Sequence, residues 1–459
     1  MDLESVSSLD DLVHGTVWRP GDQDYAGRTA GFNLAVTHSP ALVVAAADAD
    51  DVAAAVRYAA SAGLPVAVQA TGHGCHTSFD GGVLVCTSGL DELRIDPQAR
   101  TATVGAGVRW RAVLDAAAPF GLGGLCGSTS DVSVVGYTLG GGLPVLGRAF
   151  GFAADRLRSV EFVGADGQRR TVDATSDPDL FWALRGGGGS LGIVTSMTFE
   201  LLELSRIAAG GVIYDGADAR EVLAAYNDWV QAVPDDLCSS LAFLRLPPLP
   251  EVPEPLRGRF AMHLRVAWTG SVADLDRLLA PMRACAPVMI DTVGELPYRQ
   301  LDVVHQDPEH PVPFTERGAL LDALTPQLQE VILQQVGPDS NSPLLVVEIR
   351  HLGGALRRAP AGGDAIGARD ASFTFLGIGV PAGPAAAAVE PALQALDAAV
   401  RPHSTGRTFL NLHGVPGDAD DRARAWSPEQ HERLSRLKAQ LDPAVLFGHE
   451  HALTPAPAS

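Results

Sequence analysis

The sequence has few cysteines and no long apolar run. Its five cysteines in 459 residues, Cys75, Cys86, Cys126, Cys238 and Cys285, form no C-x-x-C pair. A disulfide framework and a thiolate metal site are therefore not expected, and no metal is predicted. No stretch reaches the length of a transmembrane helix, and the acidic N-terminus lacks the apolar segment of a signal peptide. These absences predict a cytoplasmic protein.

The chain also has little positive charge. Lys and Arg number 34 against 54 Asp and Glu, which gives a formal net charge of −20. Nucleic acids and anionic membranes require clustered basic side chains, so neither partner is expected. The acidic balance excludes such polyanionic partners but does not identify the substrate, and a monomer and a homodimer both stay open.

Glycine, by contrast, is abundant, with 49 residues that gather in a few loops. An apolar run near Ala41 predicts a strand, and an Ala-rich helix follows and stops at Gly63. A second strand then leads into the loop TGHGCHTSFDGG and a third strand at Val83. This strand–helix–strand order is typical of a small α/β layer.

The later segments have a different pattern. Two hairpins flank another glycine-rich stretch between residues 121 and 142, and GGGG follows a helix that starts at Pro178. From about Ile207, alternating strands such as FAMHLRVAW and LLVVEIRHL predict an antiparallel sheet with helices on one face. The predicted fold class is α+β. The expected domains are residues 1–205 and 409–459 in one unit with two α/β subdomains, and residues 206–408 in the other.

Glycine loops let the backbone approach a phosphorylated cofactor closely. Gly187, Gly189 and Gly192 match G-x-G-x-x-G, but this segment follows a helix and precedes a strand. A dinucleotide-binding turn has the opposite order, so a Rossmann fold is not predicted. The phosphate-binding motif G-x-x-x-x-G-K-[ST] does not occur.

Three stretches, in this order, resemble FAD-linked oxidases of the vanillyl-alcohol oxidase type, in the berberine-bridge-enzyme-like branch with a PCMH-type FAD-binding domain. They are residues 41–74, which end in QATGHG, residues 131–155, which contain GYTLGGG, and residues 177–201, which contain RGGGGSLGIVTSMTFEL. The tail RLKAQLDPAVLF adds a fourth. The resemblance implies FAD between two α/β subdomains, covered by a separate substrate domain.

The resemblance also implies which residues contact FAD. His73 matches the histidine that bonds covalently to the flavin, within a pyrophosphate loop in which Gln69 stands where relatives have arginine. The other implied contacts are Ala70, Thr71, Gly72, Gly74, Cys75, His76, Ser130, Gly136, Tyr137, Thr138, Gly141, Gly142, Gly192, Ile193 and Val194.

Some relatives attach FAD a second time through a cysteine. In this sequence the matching position is Thr129, and Cys126 lies three residues earlier. We therefore expect a single covalent bond, with Cys126 as the alternative second attachment.

The usual catalytic base is missing from both family positions. Arg358 stands near the place of the glutamate, and Leu412 at that of the tyrosine. The remaining candidates are His413, which on an extended FLNLHG would share a face with Asn411, then Glu348, His351 and Tyr137. Arg358 is a candidate for binding an acidic or enolate group.

We expect an FAD-dependent oxidase that takes a hydride equivalent from a secondary metabolite, an alcohol or sugar, or an amine, with O2 as the electron acceptor. A monooxygenase or dehydrogenase of the same fold is the first alternative. A flavin-free binding protein is the alternative of another class.

Overall fold

A four-stranded sheet forms the first layer of the computed structural model, which describes residues 8–250 and 252–456. Its order is β1-β2-β4-β3, with β2, β4 and β3 parallel and β1 antiparallel. The elements are β1 Thr16–Trp18, α1 Tyr25–Thr29, β2 Leu42–Ala45, α2 Ala49–Ala62, β3 Val66–Gln69 and β4 Val83–Cys86.

Helix α2 has the boundaries that the sequence predicts. The Asp48 carboxylate accepts hydrogen bonds from the backbone N–H groups of Asp50 and Asp51, and Gly63 ends the helix in the left-handed region at φ 66°. Val52, Val56 and Ala59 are fully buried against the sheet.

A five-stranded antiparallel sheet forms the second layer, in the order β5-β6-β10-β8-β9. Its hairpins connect β5 to β6 and β8 to β9, as the turn residues predict. The elements are β5 Leu93–Asp96, β6 Thr101–Gly105, α3 Trp110–Ala117, β7 Leu122–Gly123, α4 Val134–Leu139, α5 Gly147–Phe150, β8 Leu157–Val163, β9 Arg169–Asp173, α6 Pro178–Ala183, β10 Ile193–Glu200 and β11 Leu202–Glu203.

The third layer is an eight-stranded antiparallel sheet in which β13, β14 and β18 are central. Four helices, α7 to α10, pack on one face through an apolar core. The elements are β12 Arg206–Asp215, α7 Ala219–Trp229, β13 Cys238–Arg245, β14 Phe260–Trp268, α8 Val272–Cys285, β15 Val288–Asp291, β16 Gly294–Pro297, β17 Thr315–Leu321, α9 Pro326–Val336, β18 Val346–His351, β19 Phe373–Gly379 and α10 Ala386–Val400.

The opposite face of this sheet is polar at its centre. Strand register places Ser240 opposite both Arg265 and Arg350, and successive side chains point to alternate faces. Ser240, Arg265 and Arg350 therefore share the face opposite helices α7 to α10.

The chain then returns to the first two layers through α11 Ala419–Ala423 and α12 Pro428–Leu441. The predicted capping box is present, since Ser427 and Gln430 hydrogen-bond to each other's backbone N–H. Leu434, Leu446 and Phe447 pack into the same core as β2, β4 and β10. Within the described ranges, every helix is too short or too polar to cross a membrane. The mixed helix-and-sheet architecture confirms the predicted α+β class.

Candidate active site

The His73 loop leaves the end of β3 and packs tightly against an earlier segment. Gly72 has φ 73°, and a Cβ there would lie 2.5 Å from the Cα of Gly31, so glycine is required. The Phe32 ring stacks on the His73 imidazole with centroids 3.6 Å apart. His73 Nε2 lies 3.4 Å from Asp131 Oδ2, and burial lowers the pKa of His73. The loop thus presents a neutral imidazole in a fixed orientation.

The start and end of this loop are also anchored. The Gln69 side chain donates to the Ala30 carbonyl at 3.1 Å, and Asn33 Nδ2 donates to the Cys75 carbonyl at 2.9 Å. Glu450 Oε1, from the C-terminal tail, accepts from the backbone N–H of His76 at 2.6 Å. Although burial opposes it, the nearby Glu316 carboxylate raises the pKa of His76. Cys75 and His76 therefore hold the loop through structural contacts.

The second glycine loop follows α4 and is held by Asn411. Asn411 Oδ1 accepts from the Gly142 N–H at 3.1 Å, and its Nδ2 donates to the Tyr137 carbonyl at 3.1 Å. Gly142 has φ 68°, and a Cβ there would meet the Tyr137 ring at 2.5 Å. Asn411 thus uses its amide to shape the loop, and its predicted catalytic role stays a prediction.

The third glycine loop is joined to the second by backbone hydrogen bonds. The N–H groups of Gly186 and Gly188 both donate to the Leu139 carbonyl, at 3.1 and 3.0 Å. The buried Lys438 ammonium donates to the Ser190 carbonyl at 2.6 Å and pairs with Asp442. Gly192 packs against Phe162, next to the β10 residues Ile193 and Val194, which pair with β8.

Open space adjoins all three glycine-rich segments. An added Cβ at Gly74 in the His73 loop, Gly136 in α4 or Gly189 in the third glycine loop would meet no atom within 4 Å. The hydroxyl groups of Tyr137 and Ser190 are buried and have no hydrogen-bond partner among residues 8–250 and 252–456. Open glycine backbone and unpaired hydroxyls suit a ligand with phosphates and a polar ring system, so the residues fit FAD.

Cys126 lies in the apolar core beside this site. Its sulfur donates to the Thr129 carbonyl at 3.5 Å, and burial raises the pKa of the thiol well above its usual value. The Thr129 hydroxyl accepts from the Asp131 N–H at 3.2 Å, and Ser130 donates twice to Asp302. A protonated, buried thiol is a poor nucleophile.

Glu348 is held in a buried ion-pair network and is not equipped to act as a base. Its Oε1 accepts from Ser240 and Arg265, both at 2.7 Å, and its Oε2 accepts from Arg350 at 2.7 Å. Although burial opposes ionisation, the two arginines hold the pKa of Glu348 well below its usual value. Glu348 and Arg350 share a face, as the strand alternation predicts.

The other predicted bases are also constrained. His351, on the opposite side of β18, receives a hydrogen bond from Arg148 at 3.1 Å, and burial lowers its pKa to about 3. Burial raises the pKa of Tyr137 well above its usual value. Neither group is poised to exchange a proton near neutral pH.

The expectation that Asn411 and His413 share a face of a strand is wrong. Residues Leu410–Leu412 form a 3₁₀ turn rather than a strand, so a spacing of two does not align the side chains. His413 Nδ1 pairs with Thr408 at 2.7 Å, and Nε2 pairs with Asp421 at 3.2 Å. Both ring nitrogens are occupied within the protein.

Arg358, the candidate for binding an acidic or enolate group, is exposed. The buried polar groups are instead Arg265, His263 and His305, which the sequence argument missed. The missed signal lies in β14, where the alternation M-H-L-R-V places His263 and Arg265 on one face among apolar residues. Two buried polar residues at a spacing of two in a central strand point to a functional face.

Comparison with known proteins agrees with this geometry. Residues 40–173 match the family model described as FAD binding domain. An FAD-linked oxidoreductase of Dictyostelium discoideum is 25% identical over 357 residues, which cover 77% of this chain and 76% of that protein. Three further curated relatives are aligned over 52%, 32% and 44% of their own length.

Solved structures give the same fold over 97% and 98% of the chain. The crystal structure of 6-hydroxy-D-nicotine oxidase from Arthrobacter nicotinovorans has a TM-score of 0.85 at 23% identity and covers 97% of this chain and 98% of its own. Glucooligosaccharide oxidase from Acremonium strictum, described with a 6-S-cysteinyl, 8α-N1-histidyl FAD, has a TM-score of 0.84 at 19% identity and covers 98% of this chain and 100% of its own.

The fold and the three glycine loops thus agree with the match to an FAD binding domain over residues 40–173. The proteins to which the chain is similar include an FAD-linked oxidoreductase and (R)-6-hydroxynicotine oxidase in sequence, and xylooligosaccharide oxidase and a BBE-like protein in fold.

Proposed function

We propose that this protein is an oxidase that bonds FAD covalently through His73, takes a hydride equivalent from a small organic substrate and passes the electrons to O2. The observation that carries the proposal is the placement of His73. Its imidazole is stacked on Phe32, oriented by Asp131, and joined through Asp131 to the segment that enters the second glycine loop.

The surroundings of His73 suit it to form this bond. Burial lowers its pKa, so the ring is neutral at neutral pH and keeps a nucleophilic lone pair. Asp131 accepts from Nε2, so Nδ1 would be the ring nitrogen available to hold FAD through its C8 methyl carbon. Attachment would remove one hydrogen from the imidazole and one from the methyl carbon, and O2 would accept both as hydrogen peroxide.

A single covalent attachment is favoured. The Cys126 thiol is buried in apolar surroundings and is protonated, so it lacks the thiolate that a second bond needs. FAD, when bound, supplies the two-electron acceptor for the substrate.

We propose that the substrate side of the site is the polar face of the eight-stranded sheet, opposite helices α7 to α10. We propose that it holds an alcohol, sugar or amine carbon from which two hydrogens are removed and delivered to O2 as peroxide. The five cysteines carry free thiols, which is consistent with a reducing, cytoplasmic location.

The test is acid precipitation of the purified protein and of His73→Ala. The expected result is a yellow pellet from the wild type and a colourless pellet from His73→Ala, because only a covalent bond survives denaturation. His310→Ala is the matched control, since His310 is exposed and lies outside the loops. It should leave the pellet yellow.

A wild-type pellet without colour would contradict the covalent bond.

Oxidase activity is tested separately, by mixing the protein with sugars, alcohols and amines in the absence of air. A substrate should reduce the flavin and bleach its colour, and turnover in air should form one hydrogen peroxide per substrate molecule oxidised. Bleaching without peroxide on readmission of air would contradict the oxidase proposal and identify a dehydrogenase.

A further inference from the structure

A small cavity of about 30 Å³ lies beside the second glycine loop. Its walls come from the central strands β13, β14 and β18 and from the segment 143–148, which directly follows the loop. Since a buried water needs about 10–15 Å³ of such space, the cavity has room for about two polar atoms. Two oxygen atoms are what a carboxylate would place there.

The side chains around this cavity carry an excess of positive charge. Arg148, Arg265 and Arg350 all line it, and one buried carboxylate, that of Glu348, pairs with two of them. The ion-pair partner of Arg148 is Asp235, which is 91% exposed and 3.7 Å away, so its charge is screened by water. The excess stands out in a chain whose net charge is −20.

Other hydrogen-bond partners satisfy Arg148 and Arg265 but not Arg350. Arg148 donates to the carbonyls of Leu237, Leu352 and Pro234. Arg265 donates to Glu348, His263 and the His305 carbonyl. In Arg350, Nε and Nη2 donate to Glu348, whereas Nη1 has no partner within the described part of the chain. Asp307 acts on Arg350 only at longer range.

His305 is the second unpaired group on the cavity wall. It is 7% exposed, and neither ring nitrogen makes a hydrogen bond to any residue that the structure describes. Its Nε2 lies 3.6 Å from Glu348 Oε1, beyond hydrogen-bond distance. Burial and the arginines lower the pKa of His305 well below its usual value, so the ring is neutral and offers one N–H donor. A buried imidazole without a partner is costly unless a ligand satisfies it.

We propose that this cavity is an anion-binding subsite, in which Arg350 Nη1 and the His305 ring bind a carboxylate group of the substrate. This inference rests on the proposed function, because it assigns the chemical class of the molecule that the flavin oxidises. The substrate is thereby narrowed from any small alcohol, sugar or amine to one that carries a carboxylate.

The test is calorimetric titration of the purified holoenzyme with benzoate, and with benzamide as its uncharged counterpart. Benzoate should bind saturably, and benzamide should bind at least tenfold more weakly. A charge-assisted hydrogen bond contributes enough that Arg350→Met should weaken benzoate binding about tenfold to a hundredfold. His305→Ala should weaken it by about two- to tenfold, as expected for a neutral donor.

Arg220→Met is the control, because Arg220 pairs with Glu330 on the surface of α7, away from the cavity. It should bind benzoate as the wild type does. Arg350→Lys guards against misfolding of Arg350→Met, since it keeps the charge and should retain more affinity for benzoate.

The inference is overturned if the wild type binds benzoate and benzamide equally, or if benzoate binding is unchanged in both Arg350→Met and His305→Ala. Calorimetry measures benzoate binding without relying on covalently bound flavin or on turnover. A colourless acid pellet would therefore refute covalent attachment without deciding whether the cavity binds an anion.

Discussion

The cofactor side of the proposed site is made from backbone, whereas its proposed substrate side is made from side chains on an eight-stranded sheet. On the cofactor side, glycines at positions 72, 142 and 192 allow close contacts that a Cβ would block. On the substrate side, Glu348, Arg265, Arg350 and Ser240 meet across three strands. Local backbone conformation therefore determines the shape of the cofactor side, whereas buried charged side chains determine the shape of the substrate side.

The largest expected effect is on the substrate side, from Glu348→Gln. This change leaves Arg265 and Arg350 buried without their shared carboxylate. We expect the free energy of unfolding to fall by about 3–5 kcal/mol at neutral pH, as measured by urea denaturation. Glu295→Gln is the control. Glu295 pairs with Arg206 at an exposed sheet edge, so its loss should cost no more than about 1 kcal/mol.

The same variant predicts a pH dependence. Because the arginines hold the pKa of Glu348 below its usual value, its carboxylate stabilises the fold fully above the unfolded pKa of about 4.3. That contribution is lost as the pH falls toward the lowered folded pKa. The difference in stability between wild type and Glu348→Gln should therefore shrink below about pH 4. A constant difference across the acid range would show that charge is not its source.

On the cofactor side, Gly72→Ala is expected to have the next largest effect. The residue has φ 73°, and the new Cβ would lie 2.5 Å from the Gly31 Cα, which is backbone and has no rotamer to change. Strain and overlap together should lower the free energy of unfolding by about 2–4 kcal/mol. The fraction of protein with acid-stable flavin should fall with it, because His73 is the next residue.

Gly27→Ala is the matched control for this change. Gly27 lies in α1, has no atom within 4 Å of an added Cβ, and does not have a left-handed φ. Alanine is the better helix former, so stability should be unchanged or slightly higher. If Gly72→Ala behaved in the same way, the tight backbone packing of the His73 loop would not matter for the site.

The same contrast explains what the sequence could predict. Helix α2, its Asp48 cap and its end at Gly63 follow from local residues, and so do the capping box at Ser427 and the hairpin strands β8 and β9. The glycine loops also lie in short continuous stretches. A family motif therefore points to them directly, and the FAD binding domain is confirmed over residues 40–173.

The substrate side could not be predicted in this way, because its contacts join residues far apart in the chain. Glu348 and Ser240 are 108 positions apart, and Glu348 and Arg265 are 83 apart. The predicted orientation of the His413 side chain required residues 410–412 to be extended, but these residues form a 3₁₀ turn. Strand alternation predicted that Glu348 and Arg350 share a face. It could not predict the contacts with Arg265 and Arg350 that lower the pKa of Glu348 and make it a poor base.

The smallest expected effect is at Asn411, a side chain that holds the backbone of the second glycine loop. Its side chain binds backbone groups at Gly142 and Tyr137, and Asn411→Ala leaves that donor and that acceptor without partners. We expect a loss of about 1–3 kcal/mol in the free energy of unfolding, and a lower flavin content because the second glycine loop relaxes. Asn227→Ala on α7 is the control and should change neither quantity. If Asn411→Ala kept its flavin and its stability but lost substrate oxidation alone, Asn411 would act on the substrate. It would then belong to the substrate side of the site, despite its hydrogen bonds to the second glycine loop.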